Sequence, residues 1–148
     1  MGAEGVQGVI QSLEVAYLVH ATEAPEKIRL AVARLLGQES TPETEAMEGH
    51  FGNQILRAKV HLTGKEAESA FGHLVSSLPP EVLGQIVSEL GAHIDEHSAL
   101  FVRLDKQSLV SGHISLGTGD PVRVKVKPRG FLVRGRGVEF FTRLLRSR

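Results

Sequence analysis

Residues 54–80, QILRAKVHLTGKEAESAFGHLVSSLPP, change their apolar period halfway along, and that change sets the fold class. Over 54–62, Leu56, Ala58, Val60 and Leu62 fall on one side of a two-residue alternation, with Ile55, Arg57, Lys59 and His61 on the other, as in a strand with one wet face. From Thr63 onward the apolar positions Ala67, Ala70, Phe71, Leu74, Val75 and Leu78 follow helical intervals, behind a Thr63-Gly64-Lys65-Glu66 segment with capping-box spacing. Pro79-Pro80 ends that helix.

Upstream, QSLEVAYLVH at 11–20 aligns Leu13, Val15, Tyr17 and Val19 on one face of a strand. A helix follows, with Thr22 as N-cap, Pro25 in its first turn, a stripe of Ile28, Ala31, Val32, Leu35 and Leu36, and a stop at Gly37. The polar, glycine-containing stretch QESTPETEAMEGHFGN at 38–53 reads as a long loop. Downstream, a third helix turns Val82, Leu83, Ile86, Val87 and Leu90 inward and ends at Gly91. Three short strands come next, ALFVRL at 99–104, HISL at 113–116 and VRVKVK at 122–127, separated by DKQSLVSG and by a GTGDP turn. Beyond Pro128, Phe141, Leu144 and Leu145 mark a short terminal helix behind an Arg134-Gly135-Arg136-Gly137 hinge. The order βαβααβββα is that of an α+β fold: a mixed, largely antiparallel sheet with helices packed on one face. Residues 1–128 are expected to form a single domain and 129–148 a basic, partly helical extension.

The 148 residues suffice for one such domain without a staple, and the absence of cysteine excludes disulfides, thiolate metal sites and Cys nucleophiles. With no signal segment and no apolar run of membrane length, the expectation is a soluble, cytoplasmic protein that makes no membrane contact. The balance of 17 basic and 17 acidic residues hides a polarity. Residues 123–148 hold nine bases and one acid, whereas 1–122 hold eight bases and sixteen acids. Such a split points to a polyanionic partner.

His93-Ile94-Asp95-Glu96-His97 has the H-x-x-E-H order of a zinc-peptidase helix, but Gly91 ends the preceding helix and no downstream acidic ligand follows. A solvated turn fits it better, and no cofactor or metal is expected. Gly49-His50-Phe51-Gly52-Asn53 is suited to a backbone that approaches another surface closely. More informative are two basic alternations: Arg57, Lys59 and His61 share a face of one strand, and Arg123, Lys125 and Lys127 a face of another. If these strands share a sheet, with Arg103 on a third, their cations form a phosphate-attracting surface. With no Trp and only Tyr17 and a few Phe, such a surface suits shape and phosphate recognition better than base stacking.

His20-Ala21-Thr22-Glu23, the Glu48-Gly49-His50-Phe51-Gly52-Asn53 loop, Arg103-Leu104-Asp105-Lys106-Gln107 and Gly119-Asp120-Pro121-Val122-Arg123-Val124-Lys125 occur in that order. Together they resemble the archaeal family described as a predicted RNA-binding subunit of the exosome, over most of residues 11–128. Gln54 departs from that family's loop, which usually continues from Asn to Pro. The resemblance implies a fold similar to the large-subunit ribosomal protein that holds 5S RNA, and pairing into homodimers. It also implies a noncatalytic role on structured RNA, as an accessory of the archaeal exosome or of ribosomal RNA processing. The residues expected to meet RNA are His50, Asn53, Arg57, Lys59, Arg103, Lys106, Gln107, Arg123, Lys125 and Lys127. Two rival readings are a protein-interaction subunit docking through Phe140, Phe141, Leu144 and Leu145, and a metal-assisted hydrolase using His93, Glu96 and His97.

Overall fold

The computed structural model describes residues 8–49, 52–130 and 136–146. Its organising element is β1 (Ile10–His20), the middle strand of a five-stranded sheet that also contains β2 (Glu43–Glu48), β3 (Gln54–Thr63), β4 (Leu100–Asp105) and β5 (Pro121–Pro128). The strands lie in the order β2-β3-β1-β5-β4, and each neighbouring pair is antiparallel. Directly opposed residues of an antiparallel pair point to the same face, so register sorts the side chains. Leu13, Val15, Tyr17 and Val19 of β1 join Ala58, Val60 and Leu62 of β3, Val122, Val124 and Val126 of β5, and Leu100, Val102 and Leu104 of β4 on the buried face. A bulge between Ile10 and Ser12 on the β5 side of β1 lets Ile10 stay buried although it is out of phase with Leu13. With each buried aliphatic side chain contributing roughly 1.5–3 kcal/mol, a one-residue slip of β1 would exchange its faces at prohibitive cost.

Helices cover that apolar face. In α1 (Pro25–Leu36), Ile28, Ala31, Val32, Leu35 and Leu36 pack inward, and Gly37 closes the helix with φ 70°. The N-cap is Ala24 rather than Thr22, because Pro25 takes the first helical position, where its missing N–H costs nothing. α2 (Gly64–Ser77) begins after Thr63, but the capping-box bond does not form. Gly64 sits at φ 58°, which turns the chain away from the geometry that would bring the Thr63 hydroxyl onto the first-turn amides. α3 (Pro80–Ser88) stops at Glu89, and a further helical turn, α4 (Leu90–His93), contains Gly91, so Gly91 is not the stop signal expected of it. α6 (Gly137–Arg146) closes the layer. Its Phe141 is fully buried, edge-on to Phe71 of α2 at 6.3 Å and to Phe140 at 5.0 Å, and Leu145 is buried beside it.

Three parts of the order differ from expectation. β2 lies within the stretch read as loop; ETEAME shows no apolar alternation because this edge strand buries little and is held by its backbone ladder to β3. α5 (Lys106–Val110) replaces the turn expected after β4, with Asp105 as N-cap accepting from the Ser108 amide at 2.9 Å and the Ser108 hydroxyl at 2.7 Å. Residues 113–116 are not a strand: Leu116 makes a single bridge to Leu104, and the chain then bends through residues 118–120 into β5. A side chain at Gly117 would meet the Cα and Cβ of Asp105 at 2.9 Å, so only glycine allows that approach.

The end of the sheet where β1 and β4 finish and β5 starts is tied by one buried ammonium. Lys106 is 1% exposed, and its Nζ donates to the Leu18 carbonyl at 2.9 Å, Glu23 Oε1 at 2.8 Å and Asp120 Oδ2 at 2.5 Å. Glu23 also accepts from the His20 amide at 2.9 Å and from Gln107 Nε2 at 3.0 Å, while His20 Nε2 lies 3.1 Å from Asp120 Oδ2. Each proton of the ammonium thus has an acceptor, which is the condition for burying a lysine at all. Burial pushes the Glu23 carboxyl up, but the Lys106 hydrogen bond, the His20 amide and the Lys106 charge outweigh it and hold Glu23 below its ordinary value of 4.5.

Lys106→Met is expected to lower unfolding free energy by about 2–3 kcal/mol, somewhat less than for a fully buried pair because Asp120 remains part-exposed, as urea titration will read. Because Glu23 is depressed in the folded state, its contribution is complete above about pH 4.5 and is lost as pH falls through the folded value. The wild-type chain is therefore expected to lose more stability than Glu23→Gln on acidification below about pH 5. Phe141→Ala is expected to cost about 3–5 kcal/mol by the same titration; a loss under 1 kcal/mol would mean that α6 contributes little to the fold.

Candidate nucleic-acid interface

The face of the sheet turned away from the helices is polar, and register places its side chains in rungs across the strands. One rung runs Lys59, Ala16, Arg123, Arg103 from β3 through β1 and β5 to β4. The next runs His61, Glu14, Lys125, Phe101, and beyond it lie Thr63, Ser12 and Lys127. Arg57, opposite Leu18, begins the rung on the other side. The basic alternations of β3 and β5, separated by more than sixty residues of chain, therefore meet on one surface with Arg103 beside them.

The alanine in the first rung matters. Ala16 is short, so Lys59 and Arg123, about 10 Å apart across two strand spacings, face each other over a depression rather than a ridge. That depression is a groove of about 560 Å³ lined by Glu14, Arg57, Lys59, Arg103, Arg123 and the 118–121 turn. A smaller one of about 200 Å³ continues along the strands between His61, Lys125 and Lys127, with Glu14 as the shared wall.

Carboxylates temper the charge without cancelling it. Glu43 and Glu45 of β2 stand in register with Lys59 and Arg57 at the edge of the face, and Glu14 Oε1 lies 3.7 Å from Lys59 Nζ. Arg103 and Arg123 are directly opposed, and among the described residues neither has a carboxylate partner within ion-pair distance. Like charges opposite each other disfavour the pair, a cost that an anion seated between them would remove. Lys125 lies over the Phe101 ring, 5.4 Å from its centroid, which steadies that ammonium on the face.

Of the residues expected from sequence to meet RNA, Arg57, Lys59, Arg103, Arg123, Lys125 and Lys127 share this face. Lys106 does not: buried with all three protons donated, it has none for a phosphate, and it instead holds Asp120 and the turn that walls the groove. Gln107 is exposed at that end of the sheet but is engaged with Glu23. Asn53 is exposed in the β2–β3 turn, where its carbonyl accepts from the Gly49 amide; His50, like Phe51, lies outside the described residues. Phe101 and Glu14 were not singled out from sequence, although the alternation of β4 and β1 assigns both to this face.

The rival sites fare differently. Asp95 Oδ1 caps a turn by accepting from the His97 and Ala99 amides, His93 Nδ1 is 3.0 Å from the Phe101 carbonyl oxygen, and the helical turn ends at His93. The helix that an H-x-x-E-H metal site needs is therefore not formed. Among the described residues the one metal-like cluster is His20, Glu23 and Asp120, and the Lys106 ammonium already sits on its two carboxylates. Phe141 and Leu145, expected to dock a partner, are buried within the molecule. Among the described residues no helix is long and apolar enough to cross a membrane.

Comparison with known proteins agrees with the geometry. A family model described as RNA binding matches residues 12–128. The RNA-binding protein PAB1135 of Pyrococcus abyssi is 26% identical over 134 residues, covering 86% of this chain and 87% of its own. Among solved structures, protein AF2318 from Archaeglobus fulgidus is 32% identical with a TM-score of 0.78, over 91% of this chain and 99% of that one. Mth689, a DUF54 protein from Methanothermobacter thermautotrophicus, is 28% identical with a TM-score of 0.75, over 93% of this chain and 98% of that one. The matched region takes in all but the first two residues of the sheet, through the end of β5: the chain belongs to this RNA-binding family.

Proposed function

We propose that the open face of the sheet binds the sugar-phosphate backbone of structured RNA without catalysing a reaction on it. The observation that carries this reading is the rung of Lys59, Arg123 and Arg103, cations of three strands in register with a groove between them. Phosphates would be met by Arg57, Lys59, Arg103, Arg123, Lys125 and Lys127, with Asn53 and His50 of the 49–53 turn and Gln107 at one rim. Lys106 is a positioning residue in this scheme, holding the 117–120 turn through Asp120. The rungs hold one phenyl ring, Phe101, with an ammonium over it, and one imidazole, His61, so the face offers little for base stacking, which favours a partner recognised by shape and backbone.

The relative PAB1135 is named an RNA-binding protein, which supports the same reading. An accessory role beside the exosome or in ribosomal RNA processing, and pairing into homodimers, complete the proposal; sequence resemblance is what supports those two parts.

Counterion release supplies the test. If about five phosphates are neutralised, log K for a hairpin RNA should fall with log salt at a slope of roughly −3.5 to −4.5. Arg123→Glu and Lys125→Glu should each flatten the slope by about 0.7–0.9, whereas Arg34→Ala on the exposed side of α1 should leave it unchanged. Binding that is indifferent to salt, or equally affected by all three substitutions, would overturn the assignment.

A further inference from the structure

The open face carries a carboxylate at its centre, and a purely phosphate-binding surface gives no reason for one. Glu14 lies on the middle strand, opposite His61 on one side and Lys125 on the other, and forms the shared wall of both grooves. Its side chain is 28% exposed, and its nearest cation, Lys59, is 3.7 Å away, beyond hydrogen-bond reach. Among the described residues no hydrogen bond to its carboxylate is present, so its acceptor sites face the groove. It divides the cations into two sets: Arg57, Lys59, Arg103 and Arg123 on one side, Lys125 and Lys127 on the other.

An ionised carboxylate only accepts hydrogen bonds, and a phosphate diester has no proton to donate. A strand of nucleic acid seated on both sets of cations therefore either presents a donor where it passes Glu14 or leaves that carboxylate without a hydrogen bond beside its own phosphates, offset only by Lys59 at 3.7 Å. The ribose-phosphate chain has one such donor, the 2′-hydroxyl. In A-form RNA these hydroxyls line the wide, shallow minor groove between the two backbones, where a flat protein face can reach them, while exocyclic amines lie deeper at the base edges. Successive rungs of the sheet are about 7 Å apart along the strands, which leaves room for a sugar over Glu14 between phosphates held on either side.

We infer that Glu14 accepts a hydrogen bond from a ribose 2′-hydroxyl and makes the basic face selective for RNA. The inference rests on the RNA-backbone reading above and adds a discriminating group to it.

The test uses the full chain and two hairpins of one sequence, one all-ribose and one 2′-fluoro, which keeps the A-form but lacks the donor. Fluorescence anisotropy at fixed salt is expected to show the wild-type chain binding the ribose hairpin about tenfold more tightly or better, as befits a hydrogen bond to a charged acceptor. Glu14→Ala should bring that ratio close to one, mainly by tightening binding to the 2′-fluoro hairpin as the repulsion between carboxylate and backbone is removed. Glu14→Gln, which keeps the shape, should fall between the two. A wild-type ratio near one would overturn the inference while leaving the phosphate reading intact. So would a Glu14→Ala variant that gains equally for both hairpins, since Glu14 would then act only as a countercharge. Failure of the wild-type chain to bind either hairpin in a salt-dependent way would remove both proposals together.

Discussion

The period of two in an antiparallel sheet is the constraint from which the rest follows. Because β1 buries Leu13, Val15, Tyr17 and Val19 under α1 and α2, its alternate positions must face away, and pairing then carries β3 and β5 to the same choice. Arg57, Lys59, Arg123, Lys125 and Lys127 are thus brought together by the burial of valines and leucines rather than by any attraction among themselves. Electrostatics alone would scatter them. The hydrophobic term is large enough, at a dozen or so buried strand side chains, to hold cations in a register that Coulomb repulsion opposes by roughly a few tenths of a kcal/mol per exposed pair.

A face built this way needs its far end held, and Lys106 does that from within. The three segments that the ammonium joins, the turn after β1 with Glu23, the start of α5, and the 117–120 turn with Asp120, each carry part of a motif by which the family resemblance is recognised. The same arrangement explains why a cluster with the composition of a metal site requires no metal. A lysine ammonium supplies the positive charge, and the backbone carbonyl of Leu18 takes the proton the carboxylates leave over. The groove wall made by residues 118–121 is rigid to the extent that this knot is, so stability and the shape of the candidate interface are linked through one buried side chain.

What could be read from sequence divides along physical lines. β1, β3 and β5 were legible because each has one buried and one wet face, and that asymmetry is what periodicity detects. β2 was not, since Glu43–Glu48 lies at the edge, exposes nearly all its side chains and is specified by hydrogen bonds to β3 that composition does not reveal. α5 was missed for its brevity, although Asp105 and Ser108 at cap spacing were the available signal. His113–Leu116 has strand-like alternation but makes only one bridge, because after Leu116 the chain bends through residues 118–120 into β5. Lys106 shows the deeper limit: next to Gln107 in a polar run it looks like a surface contact, and nothing local says that Glu23 and Asp120, 83 and 14 residues away, will bury it.

The zero net charge of the chain acquires a structural meaning on this arrangement. The helix layer mixes both signs, with Glu26 among Lys27, Arg29 and Arg34 on α1 and Glu139 with Arg143 and Arg146 on α6, while the open face gathers basic residues from β3, β4 and β5. At physiological salt, where fields decay over about 8 Å, the two layers act as separate surfaces, so overall neutrality does not weaken local attraction to phosphate. On that view Glu14, Glu43 and Glu45 are the exceptions that need a reason of their own. The two on β2 lie at an edge strand, where charge discourages pairing with another sheet. Glu14 lies at the centre, where edge protection is irrelevant, and a carboxylate surrounded by cations in that position lowers nonspecific affinity unless the ligand offers it a proton.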